Sequence, residues 1–175
     1  MEKVTTDLSE NLMEALKIVL ASVFIALFAQ IKIPIPFSIV PFTGGAFAVL
    51  LVGGILGKER GALAVMLYLF EGAIGFPVFA GGSSGISVLI GPHVGYLLSY
   101  PLEAFLFGWA LEKRSRFLFA FLAPIVNLVF GTLGLMLFMG TKMALAMGFY
   151  PFIMIDIAKA LFAFTLMTRR IRANG

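Results

Sequence analysis

The sequence predicts an all-α membrane protein that forms one domain over residues 1–175. Of its 175 residues, 61% are hydrophobic and only 13% are charged, whereas a soluble domain has roughly 25% charged residues. So few polar side chains cannot cover a soluble globule, and the chain is therefore expected to lie in a lipid bilayer. Apolar stretches close to the roughly 20 residues that cross a bilayer predict six transmembrane helices, at residues 12–31, 42–57, 61–76, 94–111, 117–139 and 148–168.

The basic residues predict that both termini lie in the cytoplasm. With six spans, most of them fall on the side that holds the termini: Lys3, Lys17, Lys58, Arg60, Lys113, Arg114, Arg116, Arg169, Arg170 and Arg172. The opposite side holds only Lys32 and Lys142, together with His93. Because positive charge is retained on the cytoplasmic side, this distribution predicts a multi-pass protein of the cytoplasmic (inner) membrane.

The connections on the outer side differ from ordinary polar loops. The segment "IKIPIPFSIVPFTGG" contains three prolines and is expected to be extended, because proline fixes φ and disfavours helix in the preceding residue. The segment "FPVFAGGSSGISVLIGPHVGY" is rich in glycine yet apolar, and is also expected to be non-helical. Irregular backbone at membrane depth is tolerated where it is buried in protein or lines a cavity. These segments either cover a pocket or merely pack on helix ends.

The last predicted span contains two opposite charges, Asp156 and Lys159, within "PFIMIDIAKALFAF". Residues three apart lie on one face of a helix. A charge at the bilayer centre costs about 2.5–3.5 kcal/mol, and pairing would offset part of that cost. One interpretation is an ion pair between helices with no further role. The other is a polar site on a substrate or ion path, which is typical of intramembrane ionisable residues.

Other residues in the apolar segments have weaker signals. Glu103 has no basic residue within a helical turn, and Glu71 lies near the outer end of a predicted helix. A structural role is favoured for both, at the interface in the case of Glu71. Ser22 and Ala26 form a small-xxx-small pair in the first span, which lets another helix approach closely. That helix belongs either to the same bundle or to a partner.

Several function classes are disfavoured by residues that the sequence lacks. There is no cysteine and only one histidine, His93, which argues against a metal centre. The basic residues form no single patch, so nucleic-acid binding is not expected. A membrane-embedded enzyme that uses Asp156 and Glu103 as acid and base remains an alternative, although no nucleophile constellation accompanies them. A channel is less favoured, because a single acid–base pair gives no ring of selectivity groups.

From Ala21 to Glu103, and again at "YPFIMIDIAKA", the sequence resembles a known family. The strongest matches are "VPFT", "GAIGFPVFAGG" followed by "GP", and the Asp-x-x-Lys of the last span. On these motifs the chain resembles BioY, the biotin-specific S components of energy-coupling factor (ECF) transporters. The resemblance implies an S-component bundle of six helices. It would capture biotin from outside and deliver it inward with a transmembrane T component and two cytoplasmic ATPases.

The resemblance also implies roles for individual residues. Asp156 and Lys159 would bind the substrate, and Ser22 and Ala26 would dock the T component. Biotin would be cargo, with no cofactor, no metal and no catalysis by the chain itself. Another small vitamin is the alternative ligand.

The chemistry of biotin then suggests further contacts. Phe79 and Tyr96 could cover the thiophane ring and the aliphatic tail. Gly81, Gly82 and Ser83 could offer backbone N–H groups, since glycine permits close approach. The ligand carboxylate could be attracted by cationic side chains at the mouth of the site, namely His93, Lys32 or Lys142.

Overall fold

The computed structural model describes residues 2–36, 38–112 and 117–173, with residues 2–8 and 171–172 described by their backbone alone. Some of the cations used to predict the orientation lie outside the described part. These are Lys113, Arg114 and Arg116, together with the side chains of Lys3 and Arg172.

Most of the described chain is helical, as the composition predicted. The helices are α1 (Glu2–Ala29), α2 (Gly44–Leu56), α3 (Lys58–Ala73), α4 (Ile86–Leu89), α5 (Val94–Glu112), α6 (Phe117–Ala120), α7 (Leu122–Met139), α8 (Thr141–Ala144) and α9 (Tyr150–Ala173). A 3₁₀ turn covers Ala80–Gly82, and a π-helix, Leu145–Phe149, joins α8 to α9. Two short strands, β1 (Lys32–Ile33) and β2 (Phe42–Thr43), pair antiparallel with Lys32 opposite Thr43.

Four helical segments of the described residues are long and apolar enough to cross a membrane. They are Ser9–Ala29, Val94–Glu112, Phe117–Met139 and Thr141–Arg170. The third joins α6 to α7, and the fourth runs from α8 through the π-helix into α9. Helix α2 is apolar but shorter, with 13 residues. The prediction of a multi-pass helical membrane protein is therefore confirmed at this level.

The predicted span boundaries differ from the helices at several ends. Helix α1 begins at Glu2 rather than at residue 12, because the polar segment before the apolar stretch contains no proline or glycine that would interrupt a helix. Helix α3 begins at Lys58 rather than at residue 61. Gly57 adopts φ 81° and makes the whole turn between α2 and α3, so the charged residues that follow it already belong to the helix.

The two outer connections are mostly irregular, as predicted. The proline-rich segment forms the β1–β2 pair, and its strands are joined by irregular chain with a turn at Pro36 and bends at Ile39 and Val40 rather than by the extended chain that was expected. In the glycine-rich segment the prediction was wrong for Ile86–Leu89, which forms one turn of helix. That turn starts immediately after Gly85, where φ is 92°, a conformation that suits glycine.

Helix α5 packs against α2, α3 and α7, and two glycines allow this close packing. A Cβ at Gly53 in α2 would overlap the carbonyl oxygen of Ala104, and one at Gly95 would overlap that of Phe130 in α7. Small residues permit such backbone approach between helices in lipid. With α5 fixed in this way, Tyr96 and Tyr100 line one cavity.

Candidate functional site

A cavity of about 300 Å³ lies among the β1–β2 connection, the glycine-rich segment and helices α5, α7 and α9. This volume is at the lower end of the roughly 300–1,000 Å³ of small-molecule pockets. Its wall combines aromatic and aliphatic side chains with a few polar groups, a composition typical of a ligand site. Both irregular connections contribute residues to it, which agrees with the interpretation that they cover a pocket.

The polar centre of the cavity wall is the pair Asp156 and Lys159. Lys159 Nζ donates to Asp156 Oδ1 at 2.8 Å, and the two side chains are only 11% and 12% exposed, respectively. The ammonium group also lies 4.6 Å from the centre of the Phe42 ring, within the range of a cation–π contact. Both charges belong to α9, so the ion pair is within one helix and not between helices. Because both residues also line the cavity, a solute there could reach them.

A second cluster of polar side chains is formed by Tyr96 and Ser99 of α5 and Asn127 of α7. Tyr96 Oη donates to the carbonyl of Gly148 in the π-helix at 2.7 Å. Asn127 Nδ2 donates to the Tyr96 carbonyl at 3.0 Å and to Ser99 Oγ at 2.9 Å. Pro101 in α5 has no N–H to donate to the preceding turn, so the helix is locally weakened there. These side-chain hydrogen bonds cross-link α5 to its neighbours close to that point.

The glycine-rich segment inserts Phe79 into the protein interior. Phe79 is 1% exposed, and its ring meets Tyr68 edge-to-face at 5.5 Å between centroids. Gly72 provides the space, because a Cβ at that position would overlap the Phe79 ring. Gln30, at the end of α1, holds the segment in place. Its Oε1 accepts the Gly82 N–H at 2.8 Å, and its Nε2 lies 3.3 Å from the Val78 carbonyl.

The loop between β1 and β2 is fastened across the cavity by Ser38. Its Oγ donates to the Met147 carbonyl in the π-helix at 2.6 Å, and lies 2.9 Å from the Val40 carbonyl. The π-helix thus receives two side-chain hydrogen bonds, one from Ser38 and one from Tyr96. Such helical irregularities are frequent at functional sites.

His93 and Lys32 lie on the part of the wall formed by the connections. Burial disfavours the imidazolium and lowers the pKa of His93 below 6.5, while a backbone hydrogen bond with Ile39 opposes the shift and Lys32 adds to it. His93 Nε2 is buried and has no hydrogen-bond partner among the described residues. Lys32 is exposed and lines the same cavity. An anionic group of a ligand could therefore meet positive charge at Lys32, whereas His93, which was expected to be cationic, is kept neutral by its burial.

Six of the eight residues predicted to bind substrate line this cavity: Asp156, Lys159, Phe79, Ser83, Tyr96 and His93. Gly81 and Gly82 do not. They form the 3₁₀ turn with φ of 70° and 73°, and the N–H of Gly82 is used by Gln30. Lys142 is exposed and also does not line the cavity. Whether the six residues bind a ligand stays a prediction.

Asn127 and Tyr100 line the cavity and were not predicted. Asn127 could have been found, because a carboxamide within an otherwise apolar helix needs a polar partner. Tyr100 gave no comparable signal, since tyrosine is common at both membrane surfaces.

Three polar side chains outside the cavity, Ser22, Glu71 and Glu103, are buried or half-buried in the bundle. Ser22 is fully buried, and its Oγ donates to Glu71 Oε1 in α3 at 3.0 Å. Ser22 therefore serves packing between α1 and α3, whereas Ala26 is only partly buried. Glu71 is half-buried and accepts this hydrogen bond near the end of α3. Glu103 is 1% exposed, and its Oε2 has no hydrogen-bond partner among the described residues.

Known proteins resemble this chain along nearly its whole length. The BioY family model matches residues 2–174. The probable biotin transporter BioY of Pyrococcus horikoshii is 36% identical over 165 residues, which cover 93% of this chain and 99% of that protein. The biotin transporter BioY2 of Lactococcus lactis is 39% identical over 163 residues, covering 89% and 88%.

A solved structure shares the fold. It is the 2.1 Å crystal structure of the S-component for biotin from an ECF-type ABC transporter, and it matches with a TM-score of 0.77 and 25% sequence identity. The match covers 95% of this chain and 94% of that one. Fold and sequence agree, and the chain belongs to the BioY family.

Proposed function

We propose that this chain is a biotin-binding S component, which captures the vitamin from outside the cell for import. One observation carries the proposal: a buried acid–base pair, Asp156 and Lys159, lies on the wall of a cavity of about 300 Å³. The chain belongs to a family whose matched members are named as biotin transporters. Those members are transporters and not enzymes, which favours this function over the membrane-embedded enzyme.

The chemistry of biotin suits this cavity. The ureido ring has two N–H donors and one carbonyl acceptor, and the pair can meet one of the donors and the acceptor. The Asp156 carboxylate can accept an N–H, and the Lys159 ammonium can donate to the carbonyl. Hydrogen bonds to charged groups are the stronger kind. Phe79 and Tyr96 provide apolar surface for the thiophane ring and tail.

The carboxylate of the tail meets positive charge at Lys32. Its matched control is Lys142, an exposed lysine that does not line the cavity. Lys32→Ala should weaken biotin binding severalfold, the ~1 kcal/mol of an exposed charge contact, whereas Lys142→Ala should leave it unchanged. Equal affinities in the two variants would remove Lys32 from the site. Biotin is cargo in this proposal, not a cofactor.

Six transmembrane helices, with both termini in the cytoplasm, complete the proposal for the fold. The ion pairs at one end of the bundle support it. The Glu14 carboxylate bridges Lys17 at 2.9 Å and Arg60 at 2.7 Å, and Lys58 pairs with Glu112 at 3.0 Å. These groups bring the turn between α2 and α3 to the same end of the bundle as the start of the α1 span. The excess of cations there is typical of the cytoplasmic side.

ATP-driven import would require partners, because the sequence contains no nucleotide-binding motif. The phosphate-loop-like "GGILGKER" lacks the required spacing and the hydroxyl residue. A T component and two ATPases would supply the energy. The face of α1 that contains Leu20, Val23 and Leu27 is exposed, and it is open to lipid or to a membrane partner. Ala26 lies on a shallow groove with Val23 and Leu27, whereas Ser22 is buried beneath this face.

The direct test is titration of the purified chain in detergent with biotin, using desthiobiotin and lipoate as comparison ligands. Saturable biotin binding with weaker binding of lipoate, which lacks the ureido ring, is the expected result. Tight binding of a different vitamin and none of biotin would replace the ligand and keep the transport class.

The partner contact needs a separate test. Ala26→Trp should retain biotin binding, because Ala26 does not line the cavity, and should abolish co-purification with the T component. Unaltered co-purification would exclude this part of α1 from the contact.

A further inference from the structure

Asn127 in α7 has a buried amide, and its hydrogen bonds to the neighbouring helix α5 involve only the Nδ2 atom. It is 4% exposed and lines the cavity. An amide at this depth costs free energy unless its polar atoms are paired. Interhelical hydrogen bonding explains one half of the amide, since Nδ2 bonds to Tyr96 and Ser99 of α5.

The orientation of this amide is determined by its partners. The Tyr96 carbonyl can only accept, so the group facing it must be the NH₂ end of Asn127. The Ser99 hydroxyl donates to the same carbonyl at 3.0 Å, so it has to accept from Asn127. Both partners thus require Nδ2, and Oδ1 remains as an acceptor with two lone pairs. A ligand in the cavity can use that oxygen.

A cyclic urea needs such an acceptor. Its two N–H bonds diverge on either side of the carbonyl, so one carboxylate cannot accept both. Asp156 on α9 can take one of them, and the other would lose its hydrogen bond on leaving water, at a substantial cost. We infer that Asn127 Oδ1 accepts the second ureido N–H, which makes Asn127 a specificity-determining residue for the urea ring. This inference rests on the proposed function.

The experiment compares three ligands on each variant: biotin and its two derivatives methylated at one ureido nitrogen. Asn127→Ala should lower the affinity for biotin roughly tenfold. The derivative methylated at the nitrogen that faces Asn127 should bind the wild type weakly, and Asn127→Ala should not weaken it further. Because the lost N–H and the lost oxygen belong to one hydrogen bond, the two losses should not add.

A purely structural role of Asn127 predicts a different pattern, in which Asn127→Ala weakens all three ligands by the same factor. That pattern, or unchanged biotin affinity, would overturn the inference. If the losses from N-methylation and substitution fail to add in Tyr100→Phe but do add in Asn127→Ala, the hydrogen bond belongs to Tyr100. That result would also overturn the inference. Ser22→Ala is the control, since Ser22 is a buried polar residue that does not line the cavity and whose hydroxyl bonds to Glu71 of α3.

Folding and the proposed function are controlled separately. If Asn127→Ala does not yield folded protein, Ser99→Ala removes one of the two acceptors that orient the amide. It should weaken biotin severalfold and the matching methylated derivative not at all, and equal weakening of both ligands would count against the inference. Wild-type protein that binds no biotin would overturn the proposed function itself. Wild-type binding that is lost in Asp156→Asn but kept in Asn127→Ala would overturn this inference alone.

Discussion

The ion pair of α9 should contribute to binding and to stability in ways that can be separated. Asp156→Asn replaces a carboxylate acceptor by a neutral one, and Lys159→Ala removes the donor to the ligand carbonyl. A hydrogen bond to a charged group contributes about 1.5–3 kcal/mol, so either change should lower biotin affinity by roughly 10- to 150-fold. Each change also leaves the other charge unpaired at a site that is only 11–12% exposed. Breaking such a pair costs about 3–5 kcal/mol of stability.

The double variant Asp156→Asn with Lys159→Met distinguishes the two effects. Both charges are then absent, so the melting temperature should recover most of the loss seen in either single variant, because neutral replacement of a buried pair is often tolerated. Biotin binding should not recover, because neither charged contact is restored. Titration calorimetry and thermal unfolding in the same detergent measure the two quantities. Normal affinity in both single variants, or in the double variant, would refute the role of the pair in recognition.

Three further predictions concern residues around the cavity. Because the pKa of His93 is lowered in the folded protein, the folded state binds the imidazole proton less well than the unfolded chain, whose pKa is near 6.5. The contribution of neutral His93 to stability should be fully present above about pH 6.5 and be lost as the pH falls below it. The same pH dependence of the melting temperature in His93→Gln would contradict the assignment to His93. Gln30→Ala should speed proteolysis of the glycine-rich segment and raise the biotin dissociation rate severalfold, because Gln30 anchors the chain on both sides of Phe79; unchanged rates of both would show that the anchor is dispensable. Glu103→Leu should raise stability by about 1–3 kcal/mol, since it removes a buried polar atom without a partner among the described residues; a large loss of biotin affinity would instead assign Glu103 to the site.

Features set by short-range chemistry could be predicted from the sequence. The prolines between α1 and α2 predicted a connection that is not helical, since each proline restricts itself and the residue before it. Asp156 and Lys159 are three residues apart in a helix, so their pairing follows from helical geometry. The cavity was one of two possibilities, because irregular backbone at membrane depth is tolerated either where it lines a cavity or where it is buried in protein.

Features that depend on how a helix is rotated in the bundle could not be predicted. The spacing of Ser22 and Ala26 places them on one stripe but cannot say whether α3 or a partner covers that stripe. In the structure α3 covers Ser22 through the Ser22–Glu71 hydrogen bond, which links residues 49 apart in the chain, whereas Ala26 stays partly exposed. Similarly, the glycines at 81 and 82 suggested open backbone N–H groups, but Gln30 from α1 occupies the N–H of Gly82. Both arrangements depend on a contact with a residue that is distant in sequence.

Asn127 shows why the recognition surface is harder to predict than the charges. Its amide has meaning only because the Tyr96 carbonyl and Ser99 are brought to it across the α5–α7 contact. That contact depends in turn on Gly95, where any side chain would overlap the backbone of α7. A charged residue in an apolar helix stands out in the sequence because placing its charge in the membrane costs free energy. A neutral amide does not stand out in this way, because hydrogen bonds between helices can satisfy it. The decisive quantity is therefore which end of the amide the packing leaves unused, and only the folded arrangement of both helices determines it.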